Sequence, residues 1–196
     1  MSLVPEDTTP LEPEEAEGLR LPYIATRGEL NAAEAVNIEA GLRWAFSRSR
    51  SVEELLEPSF LKELHRRMFG DVWRWAGHYR RTDKNIGVPW WQIEGEVHHL
   101  VLDAQAWVGG ETLAWSGDEI GARFHHRLVA THPFPNGNGR HGRAAADLLV
   151  VVLGGERFTW GRENLADPGE VRSRYVAALR AADEHDLGLL LDFVRS

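Results

Sequence analysis

The 196-residue sequence contains no cysteine. That excludes disulfides, thiolate metal sites and a cysteine nucleophile. No apolar run reaches the roughly 18 residues that cross a bilayer, so no membrane role is expected. The N-terminus lacks the basic-then-apolar order of a secretory signal, and a cytoplasmic location is the expectation. Basic charge is also short: 22 Lys and Arg stand against 30 Asp and Glu, a formal charge of −8. No overall basic field draws nucleic acid, which disfavours a DNA-associated helical protein and predicts no nucleic-acid partner. No internal repeat is visible.

What is present reads as one mainly α domain. Hydrophobic residues make up 43% and charged residues 27%, the balance of a soluble globular chain with one core. The first 17 positions carry Glu6, Asp7, Glu12, Glu14, Glu15 and Glu17 beside three prolines. This composition predicts an acidic, flexible leader over residues 1–20 ahead of a folded domain over 21–196. Eight tryptophans bring large apolar area to the packing. In the adjacent pair Trp90-Trp91, neighbouring side chains on an extended segment face opposite ways, so one is expected to be exposed.

Helical spacing recurs along the chain. A first helix is expected from Asn31, capped by Asn31 with Glu34 closing a capping box, and burying Ala35, Ile38, Leu42 and Phe46. A second runs from Ser51 or Pro58 to Phe69, with Phe60, Leu61, Leu64 and Met68 on one face and Gly70 at its end. Gly77, Gly87 and Pro89 break the next stretch, and a small β-hairpin is expected around Asp83 to Ile93. Helical periodicity returns over Glu94 to Val108. The next helix opens at Ser116 or Asp118 and stops near Thr131, because Pro133 disfavours helical geometry before it. A largely apolar helix from Gly139 or Arg140 to Leu153 reads as the buried centre, and a last pair covers Pro168 to Ala182 and Leu187 to Val194.

The segment His132-Pro-Phe-Pro-Asn-Gly-Asn-Gly-Arg-His-Gly-Arg143 joins two of these helices. Gly137 and Gly139 let backbone approach a ligand closely. The free N–H groups and dipole of the following helix start attract phosphate. Arg140 and Arg143, three residues apart on the first turn, can grip the same anion. His132 stands at the mouth, where a neutral imidazole can take a proton from a hydroxyl. The pairs His98-His99 and His125-His126 do not imply zinc, since helical neighbours point about 100° apart.

This segment resembles the Fic family signature, His-x-Phe-x-Asp/Glu-Gly-Asn-Gly-Arg-x-x-Arg, at every signature position but one. The resemblance extends through Phe69 to Arg80, Phe124 to Leu128 and Tyr175 to Leu179. Within the family the chain is similar to the group called mobile mystery protein B. The resemblance implies a Fic-like helical bundle that moves AMP, or a related phosphate-containing group, from ATP to a Ser, Thr or Tyr hydroxyl of a target protein. It makes His132 the general base and Phe134 the loop anchor. Asn136, Gly137, Asn138, Gly139, Arg140 and Arg143 would bind the nucleotide, with Arg140 on the terminal phosphates and Mg²⁺ bridging them. The hairpin would be a flap that docks the target by strand addition; Ile86, Val88 and Trp90 either line that dock or pack the hairpin onto the helices.

Asn136 is the departure, an amide where the family carries the acidic residue that holds Mg²⁺. An amide oxygen ligates a hard cation without supplying charge. Three readings follow: metal held by phosphates and water, a donor other than ATP, or a nucleotide-binding regulatory module with weak or no turnover. Thr159-Trp-Gly-Arg-Glu163-Asn164 matches the family's inhibitory pattern but contains Gly161, and coincidence is the better reading. A separate antitoxin-like inhibitor is an alternative route to control.

Overall fold

A computed structural model describes residues 17–109, 115–161 and 168–196. The acidic leader up to position 16 lies outside the described residues, and so do Glu163 and Asn164 of the inhibitory match. Eight α-helices occur among the described residues: α1 Arg27–Phe46, α2 Val52–Leu55, α3 Pro58–Phe69, α4 Ile93–Gly109, α5 Gly117–Thr131, α6 Asn138–Val152, α7 Pro168–Asp183 and α8 Gly188–Val194.

Helix α1 begins four residues before its expected start. Thr26 accepts from the Glu29 N–H while the Glu29 carboxylate accepts from the Thr26 N–H, a complete capping box one turn upstream of Asn31. That frees Glu34 from capping. The buried face of α1 is Leu30, Glu34, Asn37, Gly41 and Ala45, rotated from the expected stripe; Ala35 is exposed. Polar residues sit on this face because α3 and the turn after it bring partners to them: Asn37 donates to the Arg67 carbonyl and exchanges hydrogen bonds with Asp71. Gly41 lets the helices touch, since a Cβ there would lie 2.7 Å from Met68 Cα.

Helix α5 carries its own capping box, Ser116 with Glu119, and ends at Thr131 as Pro133 requires. Helix α6 packs along α5, α4 lies on α5, and α7 pairs with α8. The interior divides into two clusters. Helices α1 to α4 meet one side of α5 and α6 around Leu61, Leu64, Phe69, Phe124 and Leu149. Helices α7 and α8, with Phe158 and Trp160, meet the other side through Ala122, Ala146 and Val150. Helix α6 serves both clusters, consistent with its apolar sequence.

The expected hairpin does not form. Among the described residues there is no strand, and the β-bridge of Leu19 with Trp73 lies elsewhere. Pro89 has no N–H, the Val88 and Trp90 N–H groups go to Thr131 and Asp83, and the Thr82 and Val88 carbonyls go to Arg80, so no ladder forms across residues 83–90. The segment is instead a loop closed by side chains: Asp83 Oδ1 accepts from the Trp90 N–H at 3.0 Å, and the Arg80 guanidinium takes the Thr82 and Val88 carbonyls. A single 3₁₀ turn, Trp90–Gln92, then leads into α4. Both tryptophans of the adjacent pair are exposed, 43% and 63%, because the turn replaces the extended geometry that would have buried one.

Candidate active site

His132 caps the C-terminus of α5 in left-handed geometry, φ 52° and ψ 57°. A non-glycine residue there is strained by about 1–3 kcal/mol unless its surroundings hold it. Here its N–H bonds the Leu128 carbonyl at 3.3 Å and its own carbonyl accepts from Arg80 Nε at 2.7 Å. Nδ1 is buried, while the residue lines the large cleft, so Nε2 is the nitrogen turned toward the cleft. Burial, then the Arg80 cation, push its pKa below the ordinary histidine value; Lys84 adds to this and the Val129 carbonyl opposes it. The imidazole is therefore neutral at pH 7, as a proton acceptor must be.

The loop after His132 is held from inside. Phe134 is fully buried and stacks on His65 at 3.7 Å between ring centroids. Asn138 closes the turn: its Oδ1 accepts from the Phe134 N–H at 2.9 Å and its Nδ2 donates to the Phe134 carbonyl at 2.8 Å. His65 Nδ1 accepts from the Gly77 N–H at 3.0 Å, which leaves Nε2 protonated to donate to the Asn136 carbonyl at 3.1 Å. Its pKa lies well below the ordinary value through burial, so it keeps this neutral tautomer. His141 donates through Nε2 to the Leu61 carbonyl at 2.9 Å and is fully buried.

Gly137 is the N-cap of α6 at φ +78°, with no side chain capping the helix. A Cβ on Gly137 would lie 2.5 Å from the Phe69 ring. The first helical N–H groups, from Asn138 onward, lack intrahelical acceptors and open on the cleft. Arg140 and Arg143 line the same cleft. Arg140 is bonded to Glu34 at 2.6 Å, and Glu34, 6% exposed, also accepts from Trp73 Nε1 at 2.7 Å. Arg143 lies 5.6 Å from the Tyr175 ring. The Tyr175 hydroxyl meets His125 Nε2 at 2.9 Å, and His125 is held down to a pKa of about 3 by burial.

The cleft has a volume of 1160 Å³ and collects His132, Asn136, Gly137, Asn138, Gly139, Arg140 and Arg143 on one wall. From α7, Val171, Tyr175, Val176 and Leu179 bring apolar surface to the cleft, and Arg172, Arg180 and Asp183 line it beside them. Of the three expected docking residues, Ile86 and Val88 border this cleft. Trp90 does not; it lines a second groove of 990 Å³ with Trp91, Arg74 and Arg81. Asn136 is exposed, and its Oδ1 accepts from the Gly137 N–H at 2.7 Å. Among the described residues no group of three His, Asp or Glu side chains could hold a metal ion. At the position beside Gly137, Asn136 offers a divalent cation an amide oxygen without charge.

Three contributors escaped the sequence reading. Glu34 had been assigned to a cap. His65 lies on the apolar face of α3, four residues after Leu61, where a buried and partnered histidine was the signal to follow. Arg80 left no mark beyond its place in the Phe69-to-Arg80 segment.

The Fic/DOC family model matches residues 55–150, and through this segment the chain belongs to that family. The chain is 31% identical over 166 residues to protein adenylyltransferase fic-1 of Caenorhabditis elegans, covering 83% of this chain and 30% of that protein. The Caenorhabditis briggsae protein of the same name is 30% identical over 165 residues, covering 83% and 31%. The chain therefore spans about a third of the length of these relatives. Among solved structures, a fragment of C. elegans Fic-1 superposes with a TM-score of 0.65 at 26% identity, covering 89% of this chain and 49% of that one. The BepC protein of Bartonella tribocorum, solved with bound AMPPNP, shares the fold at TM-score 0.67 and 18% identity, covering 96% and 91%.

Proposed function

We propose that this domain transfers AMP from ATP to a Ser, Thr or Tyr hydroxyl of a target protein. The observation that carries the reading is the convergence on one cleft of a neutral, inward-facing His132, an uncapped helix start and two arginines. In the step, the target hydroxyl oxygen attacks the α-phosphorus of ATP and His132 Nε2 takes the hydroxyl proton. The bond from the α-phosphorus to the bridging oxygen breaks, and pyrophosphate leaves. The α6 amides with Arg143 bind the phosphates, and Arg140 joins them once released from Glu34. The apolar residues of α7, Val171, Tyr175, Val176 and Leu179, suit a nucleobase, with Arg172, Arg180 and Asp183 beside them for polar groups. The edge at Ile86 and Val88 seats the target segment; Trp90, facing the other groove, is left out of that role. Asn136 would offer its amide oxygen to a divalent cation carried in on the donor's phosphates, which would supply charge neutralisation there.

A second reading, a nucleotide-binding module with little turnover, is favoured by two observations. Arg140 is engaged by Glu34, and Asn136 supplies no charge to the metal position. Intact mass after incubation with ATP and Mg²⁺ or Mn²⁺ separates the two. A gain of one AMP that His132→Ala abolishes supports transfer. ATP binding without a mass gain, in the presence of a hydroxyl-bearing target as well, supports the module. Recovery of transfer in Asn136→Asp or Asn136→Glu would then assign the defect to the metal position, and absence of ATP binding would remove both readings.

A further inference from the structure

The loop over residues 82–90, named the flap here, and the His132 loop share one fastener, a buried cation bonded to backbone on both sides. The Arg80 side chain is 1% exposed. Its Nε donates to the His132 carbonyl at 2.7 Å, one terminal nitrogen to the Thr82 carbonyl at 2.9 Å, and the other to the Val88 carbonyl. Its main-chain N–H donates to the Pro133 carbonyl at 2.9 Å. The Asp83 carboxylate stands 3.9 Å away on a side chain that is 60% exposed. The Val88 N–H adds a bond to the Thr131 carbonyl at 3.4 Å. Space between the two segments is exhausted, since a Cβ on Gly87 would lie 2.6 Å from His132 Cβ.

A guanidinium presents its donors in a rigid plane. The three carbonyls that meet it are therefore fixed relative to one another, and two of them belong to the flap. If the flap lifts, the cation loses two of the three carbonyls that its side chain bonds, which costs two charge-assisted hydrogen bonds. The contact to the His132 carbonyl is then no longer held by the fork, and the left-handed backbone at His132 loses the restraint that offsets its strain.

We propose that Arg80 is a positioning residue that couples order in the flap to the placement of the His132 imidazole. A segment seated along Ile86 and Val88 then sets the base as it binds. The inference rests on the transfer reading for its consequence in turnover, and on the hydrogen bonds alone for the coupling.

The test uses the full chain with Arg80→Lys, which keeps the charge and loses the fork, and Gly87→Ala, which presses on the same contact from the flap side. Amide hydrogen exchange is followed in peptides covering 82–90 and 131–138, with α3 and α6 as internal references. The expected result is about tenfold faster exchange in both segments together while α6 stays protected. Alongside, the Kd for an ATP analogue stays within about twofold and kcat for transfer falls about 100-fold, the effect of a misplaced catalytic group. Loosening of the flap with unchanged protection at 131–138, in both variants, would overturn the coupling. So would a parallel loss of nucleotide affinity and kcat that tracks global stability. If wild-type protein transfers nothing, the transfer reading falls, and the exchange data still decide the coupling.

Discussion

Replacing Asn138 by alanine removes the one side chain that satisfies both backbone polar groups of Phe134. The N–H bond is 2.9 Å and the carbonyl bond 2.8 Å. Asn138 is 3% exposed and Phe134 fully buried, so water does not replace the lost partners. Two net hydrogen bonds plus the desolvation of the orphaned groups give a loss of about 2–4 kcal/mol. With a urea slope of about 2 kcal/mol per molar, the unfolding midpoint falls by about 1–2 M. Asn138→Asp sharpens the test: a carboxylate still accepts from the N–H but opposes the carbonyl with a lone pair, so most of the loss remains. Both are read by urea denaturation followed by circular dichroism at pH 7.5. A midpoint within about 0.3 M of wild type for Asn138→Ala, at this slope, would refute the claim that this side chain holds the loop.

Glu34→Gln removes the carboxylate that engages Arg140 and is expected to tighten ATP-analogue binding by about three- to tenfold, the scale of one partly exposed ion pair; calorimetric affinity equal to or weaker than wild type contradicts that competition. Gly137→Ala meets both the positive φ and the Phe69 ring, and should cost about 1–3 kcal/mol of stability with loss of nucleotide binding; a wild-type melting temperature argues against the packing described. Acid sensitivity follows from the buried histidines. His125 and His141 are held down to about 3 and about 4 by burial, below an unfolded value of about 6.5. The unfolded chain therefore binds more protons below that value, and stability present at neutral pH is lost as pH falls, by about 2 kcal/mol for each at pH 5. Equal urea midpoints at pH 7.5 and pH 5 would contradict this. The same sign applies to His132, so the acid limb of any transfer rate should lie below the ordinary histidine value; a limb above it, in a pH–rate profile, removes His132 as the free base.

Helices were legible wherever caps and periodicity agreed. Ser116, Thr131 and Gly70 marked ends that the structure places at or beside the same residues, and the loop from His132 to Arg143 was readable because its chemistry is contiguous in sequence. The start of α1 was misread because Thr26-x-x-Glu29 and Asn31-x-x-Glu34 carry the same local signal, and only packing against α3 decides between them. The flap was misread for a related reason. Alternating apolar residues at Ile86, Val88 and Trp90 suit a strand, yet the carbonyls such a strand would pair are taken by Arg80, a partner outside the segment. Glu34 and His65 contribute through contacts 106 and 71 residues away, and periodicity in a single chain reports a side chain's face without its partner.

The division of the interior into two clusters gives the cleft walls different standing in local unfolding. The wall bearing His132 and Gly137 leans on the first cluster through Phe134 and Phe69, whereas Tyr175 and its neighbours belong to the second. Because α7 and α8 pack through the second cluster, they are expected to open together before the whole domain does, which amide hydrogen exchange would show. A nucleotide in the cleft would bridge both walls and bind only the closed arrangement, so its free concentration sets how seldom that unit opens. A bound nucleotide would then act as a clasp on helices α7 and α8, protecting them from proteolysis in proportion to its free concentration.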